Sequence, residues 1–303
     1  MHEKLIEIKN LSKTYSGKIH ALKNVSLDVY SGEVLALIGL NGAGKSTLVK
    51  IILQLIWLDS GELVLNNKYF GKNGIRDSVG YLPELFKAPP TMTGYRFLKY
   101  MGELSGIPED DLNNKIKNVC DILDLTKWLN HLTKKYSKGM MLKLGIAQTL
   151  LKDYTLYIFD EPTEGLDPMG RKIVRDIIKK LREKGSTIII NSHLLSEIEL
   201  VADRFAIIHQ GEIINIGKVE ELLHGKSTYD VITLSDPGLS KWKFFEHNSM
   251  WKCSVSTPEE LNSLLNDLNN YSVKVHNIIV NTLNLEDLFL QNIFKKNVDC
   301  NKK

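Results

Sequence analysis

The sequence predicts an α/β domain with a mainly parallel central sheet, a small antiparallel sheet at its start and a helical insertion. Continuous apolar runs bounded by polar residues predict strands that are buried on both faces, at Val34–Ile38, Leu156–Phe159 and Thr187–Ile190. Leu5–Lys9 and Val25–Val29 instead alternate between apolar and polar residues, as half-buried antiparallel strands do. The two patterns together indicate two sheets of different kind in one domain.

Helices are expected at two places in this domain. Lys45–Leu58 follows the first buried strand with helical spacing, and a longer stretch over about residues 91–150 is mostly helical. The longer stretch is the predicted helical insertion. The domain closes with a predicted hairpin, in which Phe205–His209 and Glu212–Ile214 flank a turn at Gln210-Gly211.

The composition changes near Leu223, after which the chain is rich in Asn, Ser and Lys. We therefore expect one domain over residues 1–223 and a small α+β extension over residues 224–303. The predicted elements of the extension are strands at Tyr229–Leu234, Lys252–Val255 and Ser272–Val280, and helices at Pro258–Leu268 and Leu285–Phe294.

Composition and charge exclude several classes of protein. A net charge of +3 over 303 residues is too small to indicate a nucleic-acid partner by itself. No apolar run approaches the roughly 20 residues of a membrane-spanning helix, since the most apolar stretch, Ile51–Leu58, is short and contains Gln54. Charges within Met1–Asn10 argue against a signal peptide, and the absence of a CxxC pair favours free thiols in a reducing compartment. A protein of this kind would serve a membrane through a partner.

A phosphate-binding motif lies between the first buried strand and the helix after it. Residues 39–47, here called the phosphate loop, match G-x-x-x-x-G-K-[ST]. Its predicted nucleotide-binding residues are Gly39, Asn41, Gly42, Ala43, Gly44, Lys45, Ser46 and Thr47. Glycines let backbone N–H groups approach phosphate oxygens, and the positive end of the helix adds to the attraction. We expect Lys45 to reach the β and γ phosphates and Ser46 to offer its hydroxyl to Mg²⁺.

Two adjacent carboxylates follow another buried strand. Asp160 and Glu161 come directly after Leu156–Phe159, which places them at the carboxyl edge of the sheet, where α/β proteins bind ligands. Asp160 is expected to bind in the Mg²⁺ shell, and Glu161 to orient or deprotonate the attacking water. The alternative is an acidic strand end that caps the next helix. The phosphate loop upstream favours an ATPase.

At this point the sequence resembles the ATPases of ABC transporters over about Leu5–Leu223, which implies a P-loop NTPase fold and the use of ATP. Tyr136–Met140, ahead of the Asp160-Glu161 pair, is similar to the signature segment of that family. The resemblance implies that Ser137 and Gly139 meet the γ-phosphate bound by the opposite subunit. A serine that opens a helix suits this role, since helix N-termini attract anions.

The remaining landmarks of the family follow in order. Tyr15 matches the aromatic residue that stacks on adenine, and Glu84 matches the Q-loop, near nucleotide and Mg²⁺. Pro162–Asp167 resembles the D-loop, and His193 in Asn191-Ser192-His193 matches the switch histidine near the γ-phosphate. The resemblance thus implies three catalytic residues, Lys45, Glu161 and His193, and three metal ligands, Ser46, Asp160 and Glu84.

Three residues depart from the family pattern. Glu84 replaces the usual glutamine, and without metal its carboxylate would repel the γ-phosphate, which predicts a steep dependence on Mg²⁺. Met140 removes a possible hydrogen bond to the opposite ribose, and Lys138 adds a positive charge either near the triphosphate or in solvent. These variants resemble the branch that serves exporters of drugs, sodium or related cargo, and the ATPases of copper-site maturation systems.

The resemblance also implies partners and a location. One chain holds half of each composite site, so we expect a homodimer that binds two ATP molecules. A coupling helix of a separate integral membrane permease would dock near Leu82–Pro90, where Leu85, Phe86, Ala88 and Pro89 are apolar; the alternative is a loop that packs on its own core. The expected location is cytoplasmic, peripheral on the inner face of the cell membrane, without nucleic acid. For the extension, dimerisation, regulation and partner recognition stay open.

Two other functions compete with a transport motor. A soluble ABC ATPase acting on ribosomes or DNA usually carries two cassettes or a long coiled coil, whereas this chain has one cassette and no sustained heptad. A regulator whose extension is the active part would not need the intact Asp160-Glu161 pair. Both alternatives are therefore less favoured than an ATP-hydrolysing subunit of an exporter.

Overall fold

The computed structural model describes residues 3–70, 74–75, 77–224, 228–281 and 284–300. The chain divides into two compact units, Met1–Gly217 and Lys218–Lys303, and each is described by itself. The domain limits expected from composition, 1–223 and 224–303, stay a prediction.

The first unit contains sixteen strands and α-helices among its described residues. In chain order they are β1 (Lys4–Tyr15), β2 (Ile19–Tyr30), β3 (Val34–Ile38), α1 (Lys45–Ile52), β4 (Ser60–Leu65), α2 (Asn67–Phe70), β5 (Val79–Leu82), α3 (Gly94–Leu104), α4 (Glu109–Ile122), α5 (Lys138–Thr149), β6 (Leu156–Asp160), α6 (Pro168–Glu183), β7 (Thr187–Asn191), α7 (Leu195–Glu199), β8 (Arg204–His209) and β9 (Glu212–Lys218).

A six-stranded sheet with the order β5-β6-β7-β3-β8-β9 forms the centre of this unit. The pairs β5/β6, β6/β7, β7/β3 and β3/β8 are parallel, which confirms the predicted parallel core. Every residue of β3, β6 and β7 is buried, as their continuous apolar sequences predict. Because these strands are parallel, the segments that follow them meet at one edge of the sheet.

Apolar side chains on the two faces of the sheet belong to two separate cores. Ile158 and Ile189 pack in a core that includes α1 and strands β1 and β2. Their neighbours Phe159 and Ile188 pack in a core that includes α3, α4, α5 and α6. Strand neighbours point to opposite faces, so covering both faces requires apolar residues at every position.

A second sheet has the order β2-β1-β4, and both of its pairings are antiparallel. The predicted antiparallel subdomain is therefore confirmed, and its first two strands run well beyond the segments expected from alternation. Strand β4 was not predicted. Its residues are mostly exposed, so Ser60–Leu65 carries no regular apolar pattern, and its pairing with β1 defines it as a strand.

The helix predicted over Lys45–Leu58 is shorter than expected. Helix α1 ends at Ile52, and Gln54 takes a left-handed backbone conformation with φ of 55°. Apolar residues continue after this point, yet Leu55 and Trp57 are 63% and 87% exposed. The apolar pattern therefore outlasts the helix because these two side chains do not pack into the core.

The predicted hairpin joins β8 and β9. Gln210 and Gly211 both have positive φ values, 48° and 83°, as a two-residue type I′ turn requires.

In the predicted helical insertion, α3, α4 and α5 pack on one another, and Pro108 is the residue before the first turn of α4. Proline commonly stands at such a boundary because it cannot continue a preceding helix.

The second unit contains α8 (Val219–His224), β10 (Thr228–Thr233), β11 (Phe245–His247), β12 (Met250–Val255), α9 (Pro258–Asn270), β13 (Val275–Asn281) and α10 (Leu285–Cys300). Its strands form an antiparallel sheet in the order β11-β12-β10-β13. A small core joins this sheet to α9 through Val231, Cys253, Val255, Leu264 and Leu268. The predicted α+β architecture is confirmed.

Two elements of the second unit differ from expectation. The strand predicted to begin at Ser272 begins at Val275, because Ser272 has a φ of 56° in the turn that follows α9. Strand β11 was not predicted and pairs with β12 over three exposed residues. Throughout the described residues, no helix has both the length and the apolar character that crossing a bilayer requires.

Candidate active site

The phosphate loop leaves β3 and enters α1 at Lys45. Gly44 has a φ of 113°, and a Cβ there would lie 2.5 Å from the carbonyl oxygen of Ala21. A Cβ on Gly39 would lie 2.4 Å from the carbonyl oxygen of Ile208. Only glycine fits both positions, and the first turn of α1 has no side-chain cap or acidic residue that would occupy its N–H groups. This geometry suits an anion.

The ammonium group of Lys45 lies across the phosphate loop. Its Nζ donates hydrogen bonds to the carbonyl oxygens of Gly39, at 2.7 Å, and Leu40, at 3.1 Å. Burial lowers the pKa of Lys45, and the nearby carboxylates of Glu161, Asp160 and Glu84 oppose this shift. The cation is thus held next to the loop and surrounded by acidic groups.

A cavity of about 430 Å³, here called the loop cavity, opens over these residues. It is lined by Tyr15, Ile19, His20, Ala21, Asn41, Gly42, Ala43, Gly44, Lys45, Ser46, Thr47, Glu84, Asp160, Glu161 and Asn191. The structure therefore brings the phosphate loop together with three carboxylates and one aromatic ring. This volume is in the range of small-ligand sites.

Asp160 ends β6 and is buried. Its Oδ1 accepts a hydrogen bond of 2.5 Å from Nδ2 of Asn191, the residue opposite it on β7. Burial raises the pKa of Asp160 to about 6, with a further contribution from Glu84, while the bond from Asn191 acts in the opposite direction. The carboxylate is therefore in a position where a cation would stabilise its charged form.

Glu161 is buried and has a positive φ of 52°, a strained conformation for a residue with a side chain. Its amide donates to the carbonyl oxygen of Asn191 at 2.7 Å. Its carboxylate lies 2.9 Å from Nδ1 of His193 and accepts a longer bond of 3.4 Å from the backbone N–H of His193. The carboxyl end of β7, at Asn191, and the segment after it, at His193, thus hold Glu161 in place.

The residues at this edge fit Mg²⁺. Among the described residues, no three His, Cys, Asp or Glu side chains are grouped as a complete metal site. Magnesium does not need one, because it binds through one or two carboxylates together with water and the phosphates of its nucleotide. Ser46, Asp160 and Glu84 all line the loop cavity, and Oδ1 of Asn191 is buried without a hydrogen-bond partner. These oxygens are the hard donors that Mg²⁺ and its water shell prefer.

Tyr15 ends β1 at the rim of the loop cavity, with its ring partly exposed. Its hydroxyl lies 3.5 Å from Oγ1 of Thr47. An exposed aromatic ring beside a phosphate loop can stack on a base. The adenine-stacking role of Tyr15 stays a prediction.

Ser137 and Gly139 lie outside the loop cavity. Ser137 caps α5, and its hydroxyl accepts a bond of 3.2 Å from the N–H of Met140. It lines a second cavity of about 520 Å³, here called the α5 cavity, together with Lys138 and Glu84. A Cβ on Gly139 would lie 3.1 Å from the carbonyl oxygen of Gly165, so glycine allows the first turn of α5 to pack closely on the loop that contains Gly165.

The side chain of Lys138 is 66% exposed, as in the solvated alternative, and its position relative to a bound triphosphate stays a prediction. Its Nζ forms an ion pair of 2.6 Å with Oε1 of Glu164, on the loop that follows Glu161. The stem of Lys138 lies over Gly165, so that a Cβ at Gly165 would be 3.1 Å from Cδ of the lysine. Lys138 therefore links the start of α5 to the Pro162–Asp167 loop.

The apolar stretch after β5 is divided between the core and the surface. Leu85 is 80% exposed, and Pro89 is also exposed. Phe86, however, packs edge-to-face on Phe97 at 5.7 Å, and Ala88 is buried. Phe86 and Ala88 therefore pack on the chain's own core while they also line the α5 cavity with Leu85, and docking of a partner at this stretch stays a prediction.

Four residues that line the loop cavity were missed from sequence: Ile19, His20, Ala21 and Asn191. Asn191 was quoted only as a neighbour of His193, although it ends the buried run Thr187–Ile190. A polar side chain at the carboxyl end of a buried parallel strand lies at the ligand-binding edge, and this signal was sufficient to identify it.

Comparisons with known proteins identify one family. The model of the family described as "ABC transporter" matches residues 22–164. An uncharacterized ABC transporter ATP-binding protein of Nostoc sp., all4389, is 34% identical over 292 residues, which cover 94% of this chain and 87% of the relative. The bacitracin transport ATP-binding protein BcrA of Enterococcus faecalis is 33% identical over 237 residues, with 77% and 76% covered.

A solved structure is similar to the first unit as well. The dimeric structure of MJ0796, a bacterial ABC transporter cassette, matches with a TM-score of 0.64 at 25% identity, over 71% of this chain and 98% of that chain. ABC ATP-binding domains are ATPases whose subunits dimerise and work with membrane permeases. With the phosphate loop, Asp160 and Glu161 at one sheet edge, the chain belongs to the ABC transporter family as an ATP-binding, ATP-hydrolysing subunit.

Proposed function

We propose that this ATPase powers a separate membrane-spanning exporter, and that two copies of the chain enclose two molecules of Mg²⁺–ATP. The observation that carries the proposal is the separation of two predicted phosphate sites within one chain. The phosphate loop lines the loop cavity, whereas Ser137 lines the α5 cavity. A second copy that brings its Ser137 and Gly139 to the first copy's phosphate loop completes both sites at once.

Hydrolysis requires charge neutralisation and an oriented water, since phosphoryl transfer needs little covalent help. Bound Mg²⁺, held by Ser46, Asp160 and Glu84, would neutralise phosphate charge. Lys45 binds the β and γ phosphates, and Glu161 orients the attacking water and takes its proton. The water oxygen forms the new bond to the γ-phosphorus, the bond to the bridging oxygen breaks, and ADP and phosphate leave. His193 holds the carboxylate of Glu161, as the 2.9 Å contact supports.

The names of relatives support export, and the exposed loop after β5 supports docking on a permease. One relative is a bacitracin transport ATP-binding protein, which favours the outward transport of an antibiotic-like compound. The permease helix would dock beside Leu82–Pro90, where exposed Leu85 lines the α5 cavity. The subunit then lies on the cytoplasmic face of the cell membrane, joined to it through that permease.

The dimer is tested with Glu161→Gln, which keeps the shape of the residue and removes the base. Light scattering with saturating ATP and Mg²⁺ is expected to show a stable dimer for this variant, because ATP binds the closed state better and hydrolysis no longer reopens it. Glu161→Gln combined with Lys45→Ala serves as the control and is expected to stay monomeric. A monomer in Glu161→Gln at saturating Mg²⁺–ATP would contradict the proposal.

The transport role is tested by co-expression with a candidate membrane permease. The two proteins are expected to purify together from detergent-solubilised membranes and to hydrolyse ATP. Leu85→Asp places a charge on the exposed part of the proposed docking surface and is expected to reduce co-purification without changing ATP binding. Purification with ribosomes or DNA instead would contradict an exporter.

A further inference from the structure

Asn191 has a buried polar atom that the protein does not satisfy. The residue is 2% exposed and lines the loop cavity, and its Oδ1 has no hydrogen-bond partner in the structure. Buried side-chain oxygens almost always have a partner, so an exception at a ligand cavity indicates a partner that arrives with the ligand.

The orientation of the amide is set by its neighbour. Nδ2 of Asn191 donates to Oδ1 of Asp160 at 2.5 Å. The flipped amide would place two oxygens in contact there, because a carboxylate can accept but not donate. The atom left over is therefore the amide oxygen, an acceptor that needs a donor or a cation.

Asn191 also stands between the two residues that act on the nucleotide. It is paired with Asp160 across β6 and β7, and its backbone carbonyl accepts the N–H of Glu161 at 2.7 Å. His193, two residues further on, contacts the Glu161 carboxylate. The unpartnered oxygen therefore belongs to the same rigid strand end that positions both acidic groups.

We infer that Asn191 is a further binding residue for Mg²⁺–ATP, whose side-chain oxygen accepts a hydrogen bond from the water shell of the bound metal. The inference rests on the proposed Mg²⁺–ATP site and adds a residue to it. Magnesium releases its water reluctantly and usually keeps several molecules, so acceptors beside its carboxylate ligand are satisfied through water. The two ends of one amide thus serve different partners, Asp160 and the hydrated ion.

The test measures equilibrium binding of the non-hydrolysable analogue AMP-PNP by calorimetry, once with saturating Mg²⁺ and once with excess EDTA. Asn191→Leu has a similar size and no polar atoms, whereas Asn191→Thr keeps a hydroxyl that can donate to Asp160 and accept from water. We expect Asn191→Leu to lose about tenfold in affinity with Mg²⁺ and less than about threefold in EDTA. Asn191→Thr is expected to stay within about threefold of wild type with Mg²⁺.

A second measurement separates the effect of Oδ1 of Asn191 from the effect of its Nδ2, which donates to Asp160. Asn191→Leu is repeated in an Asp160→Asn background, where the charge that Nδ2 supports is gone. An oxygen that acts on its own still weakens Mg²⁺-dependent binding in this background, and that result supports the inference. Disappearance of the effect means that Asn191 acts through Asp160 alone and overturns it.

Three other results also overturn the inference: no loss in Asn191→Leu, an equal loss with and without Mg²⁺, or an equal loss in Asn191→Thr. None of them concerns the proposed function, which fails instead if wild-type protein shows no Mg²⁺-dependent nucleotide binding. Retained binding in EDTA shows in the same experiment that the variant is folded.

Discussion

At the scale of single residues, the active site concentrates negative charge around one buried cation. Glu84, Asp160 and Glu161 line the same cavity as Lys45, and Asp160 and Glu161 are both buried. Burial and repulsion from Glu84 disfavour the ionised form of Asp160, and a divalent cation would remove this cost. Without a bound cation, Asp160 therefore contributes less to stability than a neutral side chain of the same shape.

Asp160→Asn is expected to stabilise the nucleotide-free protein at neutral pH. The folded pKa of Asp160, about 6, exceeds that of an unfolded aspartate, so folding binds a proton between these values and stability falls as pH rises through them. Urea unfolding in EDTA should show a gain on the order of 1–3 kcal/mol at about pH 8 and almost none at about pH 4. A gain that is equal at both pH values would contradict the argument.

Glu84→Gln is expected to reduce the dependence of hydrolysis on Mg²⁺. In the proposed site, the carboxylate of Glu84, which lines the loop cavity, adds to the negative charge around the γ-phosphate until a metal neutralises it. Titration of ATPase activity with Mg²⁺ should give a shallower curve for the variant, and nucleotide binding in EDTA should strengthen. An unchanged Mg²⁺ requirement would show that Glu84 does not face the bound phosphates.

At the scale of elements, helix ends supply much of the chemistry of the fold. Helix α1 has no side-chain cap at its N-terminus, which follows the phosphate loop. Helix α5, by contrast, is capped by the hydroxyl of Ser137. Thr93 caps α3 in the same way, by accepting the N–H of Arg96. The two caps are chemically alike, and one of them lies in the segment expected to contact a partner's nucleotide.

Ser137→Ala and Thr93→Ala form a matched pair for this reason. Both are expected to lose about 1 kcal/mol of unfolding free energy, because each removes one N-cap. In the Glu161→Gln background, Ser137→Ala should also weaken the ATP-dependent dimer, whereas Thr93→Ala should not. Monomers of both variants should still bind AMP-PNP. Equal dimerisation of the two variants in light scattering would count against a role of Ser137 across the interface.

At the scale of the whole molecule, the chain is built from two units with separate cores. Asp230 in the second unit is buried and accepts bonds from Lys252, Ser254 and Asn281, which join three strands. Burial alone would raise the pKa of Asp230, but these three partners lower it below the usual range. Asp230 therefore contributes to the stability of the folded unit at any pH above the pKa of an unfolded aspartate. This contribution is lost as the pH falls through the lower pKa of Asp230 in the folded unit.

Asp230→Ala is expected to destabilise the second unit by about 1–3 kcal/mol at neutral pH, since it leaves Lys252 and Asn281 without their acceptor. Thermal unfolding should show an early transition, and AMP-PNP binding by the first unit should not change. Asp236→Ala removes an exposed aspartate of the same unit and is the control. A parallel loss of nucleotide binding would show that the first unit does not fold independently of the core of the second unit.

Much of this organisation could be predicted from sequence because it depends on local pattern. The phosphate loop follows a buried strand and precedes a helix, and the Asp160-Glu161 pair follows another strand, so both had to meet at one edge of a parallel sheet. The order of α/β and α+β regions and the family were predicted correctly for the same reason. The domain limits and the role of each site residue stay predictions.

Other features depended on contacts between distant segments. Contacts with residues far away in sequence decided that Ser60–Leu65 forms a strand and that Phe86 packs inward. They also decided that Leu55 and Trp57 do not extend a helix. By itself, the sequence determined the motifs, their order and the chemistry they bring, since these follow from residue type and spacing. Only the tertiary structure decided that Asn191 joins Asp160 and that Ser137 lies away from the phosphate loop, because strand pairing and packing between elements set these positions.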